Sequence, residues 1–298
     1  FYPQQKELKT YFDHCVEKYQ LQYSIQYNTE ATALNWVESQ KRWHITTHNH
    51  HTGEQSTLIA NSVISAVGQL NRPKIPDIKD LDKFSGNMFH SSKWPDSDVI
   101  TKKKVAVVGS GASAFQIVPS IAQSCEALTI FQRSPPWMFP NPKYHERVDE
   151  DKKWLLENLP FYSRWYRFLL FYPGSDQLLD SLFIDPSWKA NRDSINQQND
   201  EMRELFTAAM LSQISDKSLI DKVIPTYPPF GKRMLQDNGA WLEALHLPNV
   251  TLLSEGVEQM SAKGIVSSKP VSYTHLRAHE TEADVVWRRV RGKKGGGG

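Results

Sequence analysis

Apolar positions near the start of the chain fall three and four apart, at Leu8, Tyr11, Phe12, Cys15 and Tyr19, and Pro3 stands where a first helical turn tolerates a missing N–H. Residues 3–19 therefore read as one amphipathic helix. From Tyr23 the period shortens to two, and four strands are expected near 23–27, 31–39, 42–47 and 56–66, divided by polar turn clusters such as 48–53. The fourth ends in the apolar run Ser62-Val-Ile-Ser-Ala66.

The pattern changes again at 105–108, an unbroken apolar run behind Lys102, Lys103 and Lys104, which is how a strand buried on both faces of a parallel sheet reads. A helix-length segment to about Ser124 and a second apolar run at 128–131 follow, making a strand–helix–strand unit of about 30 residues. After a proline-stiffened loop at 135–142 the chain turns helical over 147–222, with an acidic start at Asp149, Glu150 and Asp151. Within it 163–172 is strongly aromatic. That stretch is short and carries few cations, so burial inside the helical segment is expected over contact with a bilayer. A last strand is expected at 248–253.

The turn between the two apolar runs carries the chemistry. Gly109, Gly111 and Ala114 fit G-x-G-x-x-G/A: the first glycine makes the tight turn, the second lets backbone approach a pyrophosphate, and the small third residue lets helix pack on strand. With Ser110, Ala112 and Ser113 they form a helix start whose free N–H groups and positive dipole end face phosphate oxygens. S-adenosylmethionine folds imitate such a turn, but here it sits inside a strand–helix–strand unit. Where an NAD site puts Asp or Glu on the ribose hydroxyls, this chain has Arg133 and Ser134, a cation and a hydroxyl suited to a 2′-phosphate. The expected nucleotide is NADPH; an ordinary strand-end arginine is the plainer alternative for Arg133.

Composition narrows the class. Apolar and charged fractions are those of a globular protein, and no run approaches ~18 uninterrupted apolar residues, so no membrane span is expected. The formal charge of +2 is too near zero to suggest nucleic acid. Its sign also depends on residues 270–298, where six Lys/Arg stand against three Asp/Glu. There the stretch Pro-Val-Ser-Tyr-Thr-His-Leu-Arg-Ala-His-Glu-Thr resembles the translation of a sequencing-library transposon end, and Gly295 to Gly298 a run of uncalled guanines, so 270–298 is left out of the fold as an artefact. Cys15 and Cys125, far apart in sequence, suit a reducing cytoplasm. His44, His48, His50 and His51 have no carboxylate or thiolate at ligand spacing and read as solvated turn residues, so no metal is expected.

Between the two halves lies Phe84-x-Gly86-x-x-x-His90-x-x-x-Trp94-Pro95. With every defined position filled, it resembles the fingerprint of type I Baeyer–Villiger monooxygenases, FAD- and NADPH-dependent enzymes that use O2 to insert oxygen beside the carbonyl of a ketone substrate. In that family the segment couples domain movement. The resemblance implies an α/β two-dinucleotide-binding-domain flavoprotein. Residues 1–83 would end a first FAD-domain segment containing a β-meander. A Rossmann-type NADPH domain would span 84–235 with a helical insertion at about 147–222, and 236–269 would return to the FAD domain.

Ala66-Val-Gly68 resembles the family's crossing point near flavin and nicotinamide, although a plain glycine turn fits too. Tyr227-Pro-Pro-Phe-Gly231-Lys232-Arg233 resembles its Lys-Arg segment, in a setting most like 4-hydroxyacetophenone monooxygenases. By that match Lys232 pairs with the 2′-phosphate beside Arg133, and Arg233 is the active-site arginine; a pair of surface basic residues is the alternative. The FAD fingerprint would lie upstream of Phe1, and the chain reads as an internal fragment of a longer enzyme, inactive by itself. An N- or S-oxygenating flavin monooxygenase, whose related motif usually lacks the Trp-Pro ending, and a non-catalytic NADP(H)-binding homologue are the alternatives.

Overall fold

In the computed structural model the chain divides into two compact units, Tyr2–Arg72 and the chain from Pro73 onward. The residues described are 2–68, 70, 72–141, 143–190, 193–267 and the strand at 283–287.

The first unit opens with α1 (Gln5–Lys18), whose start is closed by the Glu7 carboxylate accepting the Gln4 N–H at 2.8 Å. A meander follows: β1 (Thr29–Val37), β2 (Arg42–Asn49) and β3 (Gln55–Ala60) pair antiparallel in that order, with Trp36 opposite Trp43 and Ile45 opposite Leu58. The β2–β3 turn works because Asn49 Oδ1 accepts the N–H groups of His51 and Thr52, and Gly53 takes φ +74°. His44 and His48 lie on β2, while His50 and His51 sit in the turn.

One expected strand does not form and another is cut short. Residues 23–27 are a 3₁₀ turn and coil with Tyr23 88% exposed, and the strand expected over 56–66 ends at Ala60, leaving 62–66 outside the sheet with Ile64 91% exposed. The reason is the same in both cases: an apolar run becomes a strand only where a neighbouring ladder accepts its N–H and C=O groups.

The second unit is built on β4 (Met88–His90), β5 (Lys104–Val108), α2 (Ala112–Ile121) and β6 (Ala127–Phe131). There follow β7 (Met138–Pro140), α3 (Glu150–Asn158), α4 (Tyr162–Phe171), α5 (Gln197–Leu211), α6 (Ile220–Val223), β8 (Leu235–Asp237), α7 (Ala240–Leu245) and β9 (Val250–Leu253). The hairpin β10 (Val257–Ser261) and β11 (Gly264–Ser267) and the strand β12 (Ala283–Trp287) complete it.

The main sheet runs β4-β12-β5-β6-β9, all parallel. Of residues 270–298, set aside in the sequence reading, 283–287 do join the sheet. Val285 and Val286 are β-branched, a residue type that favours strands. The remainder of that stretch lies outside the described residues.

The sheet is covered on both faces, which is why β5 shows no polar alternation. Val105 and Val107 join a core with Phe115, Val118, Trp241 and Leu252, while Ala106 packs on the other face with Phe131, Leu253, Met260 and Phe84. Phe115 of α2 stacks on Trp241 of α7 at 5.2 Å between centroids.

The segment expected to be helical holds α3 to α6 with 3₁₀ turns at Asp176–Leu178 and Asp180–Leu182, but its aromatic stretch is not buried. No side chain of α4 is buried, and Trp165 is 57% exposed. Its rings are satisfied along the helix itself, Trp165 stacking on Phe168 and Phe168 on Tyr172, with Arg167 over Phe171, so the apolar side finds partners at i+3 and i+4 and not in a core. Among the described residues no helix is long and apolar enough to cross a membrane.

Candidate nucleotide-binding site

Gly109 leaves β5 at φ +105°, a left-handed conformation that glycine enters without Cβ strain, and its N–H donates to the Phe131 carbonyl at 2.8 Å. The turn is thereby closed against the end of β6. Gly111 caps α2 in extended backbone, its carbonyl accepting the Phe115 N–H at 2.8 Å. Ala112, Ser113 and Ala114 form the first turn, whose N–H groups have no partner within the helix. Ala114 is buried in the core, so the third position of the fingerprint is small because the helix presses on the sheet there.

Contacts then lead away from the turn. The buried Ser110 hydroxyl donates to the Ser134 carbonyl at 3.4 Å, and the Lys232 ammonium donates to the Ser134 hydroxyl at 2.7 Å. Arg133, next in chain to Ser134, is exposed just past the end of β6. Glycine turn, strand-end hydroxyl and the two cations expected from sequence therefore lie at one end of the β5–β6 pair. No hydrogen bond or ion pair holds Arg133 among the described residues.

The loop bearing Lys232 is tied to the loop after Arg133 at several points. The Trp137 indole N–H donates to the Tyr227 carbonyl at 2.7 Å, and the Tyr227 hydroxyl donates to the Pro135 carbonyl at 2.9 Å. The Leu235 N–H donates to the Trp137 carbonyl at 3.0 Å, where β7 and β8 pair parallel. Lys232 Nζ sits 4.3 Å from the Tyr227 ring centroid. Burial raises the Tyr227 phenol above its ordinary value, so it remains a donor. Tyr227 opens the Lys-Arg segment read from sequence, but neither it nor Trp137 was expected to have a part in the site; an aromatic residue within each proline-rich loop was the signal.

Other expected site residues lie elsewhere. Arg233 is exposed in the turn before β8, and no carboxylate pairs with it among the described residues. His90 is buried at the end of β4, with Nδ1 accepting the Ser92 N–H at 3.1 Å and 2.8 Å from its hydroxyl. Trp94 meets Phe89 edge-on at 5.1 Å, Phe84 packs on the sheet, and Gly86 and Pro95 are half-buried. Ala66 and Gly68 belong to the first unit. Both are exposed, and Gly68 takes φ +71° with open space where a Cβ would stand, so its backbone angle alone calls for glycine.

The architecture is that of the two-dinucleotide-binding-domain flavoprotein monooxygenases. The OTEMO complex with FAD and NADP matches it with a TM-score of 0.72 at 23% identity, over 95% of this chain and 56% of that one. The open form of cyclohexanone monooxygenase matches with a TM-score of 0.71 at 23% identity, over 96% and 58%. In sequence the chain is 32% identical over 265 residues to a Baeyer-Villiger monooxygenase of Pseudomonas aeruginosa, covering 89% of this chain and 47% of that protein. It is 40% identical over 266 residues to the uncharacterized monooxygenase y4iD of Sinorhizobium fredii, covering 89% and 40%. The family described as L-lysine 6-monooxygenase/L-ornithine 5-monooxygenase matches residues 1–146. The chain thus spans half or less of the length of these two relatives.

Proposed function

We propose that this chain carries the NADPH-binding core, and part of the flavin domain, of a Baeyer–Villiger monooxygenase that converts ketones to esters or lactones with O2. The observation that supports it best is the 2.7 Å contact of Lys232 with Ser134 beside the glycine turn. The residues present fit NADPH. Amides of 111–114 take the pyrophosphate, and Arg133, Ser134 and Lys232 surround the place of a 2′-phosphate, a dianion best held by more than one cation. For FAD the chain offers Ala66 and Gly68. When bound, the two cofactors supply hydride transfer and oxygen activation.

Arg233 brings a guanidinium, a fixed positive charge, to where negative charge grows on the reacting oxygens. Phe84, Gly86, His90, Trp94 and Pro95 act as a packed connector coupling domain movement. One glycine fingerprint serves one dinucleotide, so the chain is not expected to turn over by itself. Aryl ketones are the favoured substrate class, from the 4-hydroxyacetophenone monooxygenase setting of 227–238, and the two thiols, Cys15 and Cys125, suit the cytoplasm.

The family match over residues 1–146 favours a second reading, an N-oxygenating enzyme; Trp94-Pro95 and Lys232-Arg233 stand against it. Product analysis of the complete enzyme with NADPH separates the two. Ester from a ketone panel supports the first, whereas oxidised amine or thioether with no ester overturns it.

A further inference from the structure

Lysine 232 poses a physical problem that its motif does not solve. A flexible four-carbon stem on an exposed loop samples many rotamers, yet a cation that selects a 2′-phosphate has to wait in one place. Tyr227 supplies such a constraint. Its ring face lies 4.3 Å from Nζ, while the Ser134 hydroxyl meets the ammonium at 2.7 Å. The residue is itself pinned at both ends, its hydroxyl to the Pro135 carbonyl and its backbone carbonyl to the indole of Trp137, a residue only 1% exposed. Both anchors belong to the loop that bears Arg133 and Ser134. Tyr227 therefore holds the loop carrying one cation against the loop carrying the other.

We infer that Tyr227 is a positioning residue for 2′-phosphate recognition, its ring setting the Lys232 ammonium against Ser134. The inference rests on the NADPH reading above. Its chemistry concerns only the adenosine half of the nucleotide, so 2′,5′-ADP and ADP are sufficient probes and no flavin is needed.

The test is calorimetric titration of the full chain with both probes. Tyr227→Leu is expected to weaken 2′,5′-ADP by about three- to tenfold, the range of a partly exposed cation–π contact, while leaving ADP unchanged. In a Lys232→Ala background the same change is expected to do nothing more, because the two residues act through one contact. Tyr227→Phe, which keeps the ring and loses only the hydroxyl bond, guards against misfolding and is expected to hold the preference within about twofold.

Equal weakening of both probes by Tyr227→Leu, an undiminished effect in the Lys232→Ala background, or a loss in Tyr227→Phe as deep as in Lys232→Ala would overturn the positioning role. If Lys232→Ala weakens 2′,5′-ADP and Tyr227→Leu does not, this inference falls and the NADPH reading stands. If Lys232→Ala leaves the preference intact, both fall together.

Discussion

Lys232 and Ser134, 98 positions apart in the chain, meet at 2.7 Å at the end of the central sheet. Neither residue is remarkable in isolation, since a surface lysine and a strand-end serine occur in most proteins. Their meeting beside Gly109 and Arg133 is what suits the arrangement, on the reading proposed above, to a phosphate.

Lys232→Ala in the complete enzyme is therefore expected to weaken NADPH about ten- to a hundredfold, the worth of a hydrogen bond between charged groups, and to spare NADH. Stopped-flow flavin reduction with the two nucleotides measures it. An unchanged preference would count against the pairing.

Arg233→Ala should leave flavin reduction intact and remove most ester formation, with a barrier higher by about 3 to 4 kcal/mol. Chromatographic ester yield alongside the rate of NADPH oxidation checks this, and a normal yield would refute the role.

Trp241 is 1% exposed and stacks on Phe115, so Trp241→Ala should cost about 3–5 kcal/mol of stability by emptying the space between α2 and α7. Denaturant unfolding should show an earlier midpoint. No shift would mean that the two helices do not bear on each other as described.

Burial raises the Tyr227 phenol above its ordinary value near 10, so the folded state keeps that proton longer than the unfolded chain does. Its contribution is fully present below pH ~10 and is lost as pH climbs through the folded value. Tyr227→Phe should flatten the stability profile above pH ~10 without altering its acid side. Unfolding curves at several alkaline pH values provide the measurement.

The parts of the molecule legible in sequence were those governed by local rules. Gly109 needs a positive φ whatever surrounds it, and β5 reads as doubly buried because its alternate residues enter two cores. The same logic carried the meander of β1 to β3. Expectation failed where the outcome depends on a neighbouring surface: 23–27 and 62–66 lack a ladder to join, and α4 satisfies its rings along its own length. The bonds of Tyr227 and Trp137 were not legible because they join positions about ninety apart, and no periodicity registers such a pairing. The strand at 283–287 was set aside with its surroundings, although five residues suffice to fill a gap between β4 and β5.

The bare rings of α4 have a practical side. Trp165, Phe168 and Phe171 together offer adhesive surface to any apolar body, including another copy of the chain. Concentrated samples should cling and cloud, so titrations with nucleotide belong in dilute solution, and arginine or mild detergent in the buffer should help more than added salt.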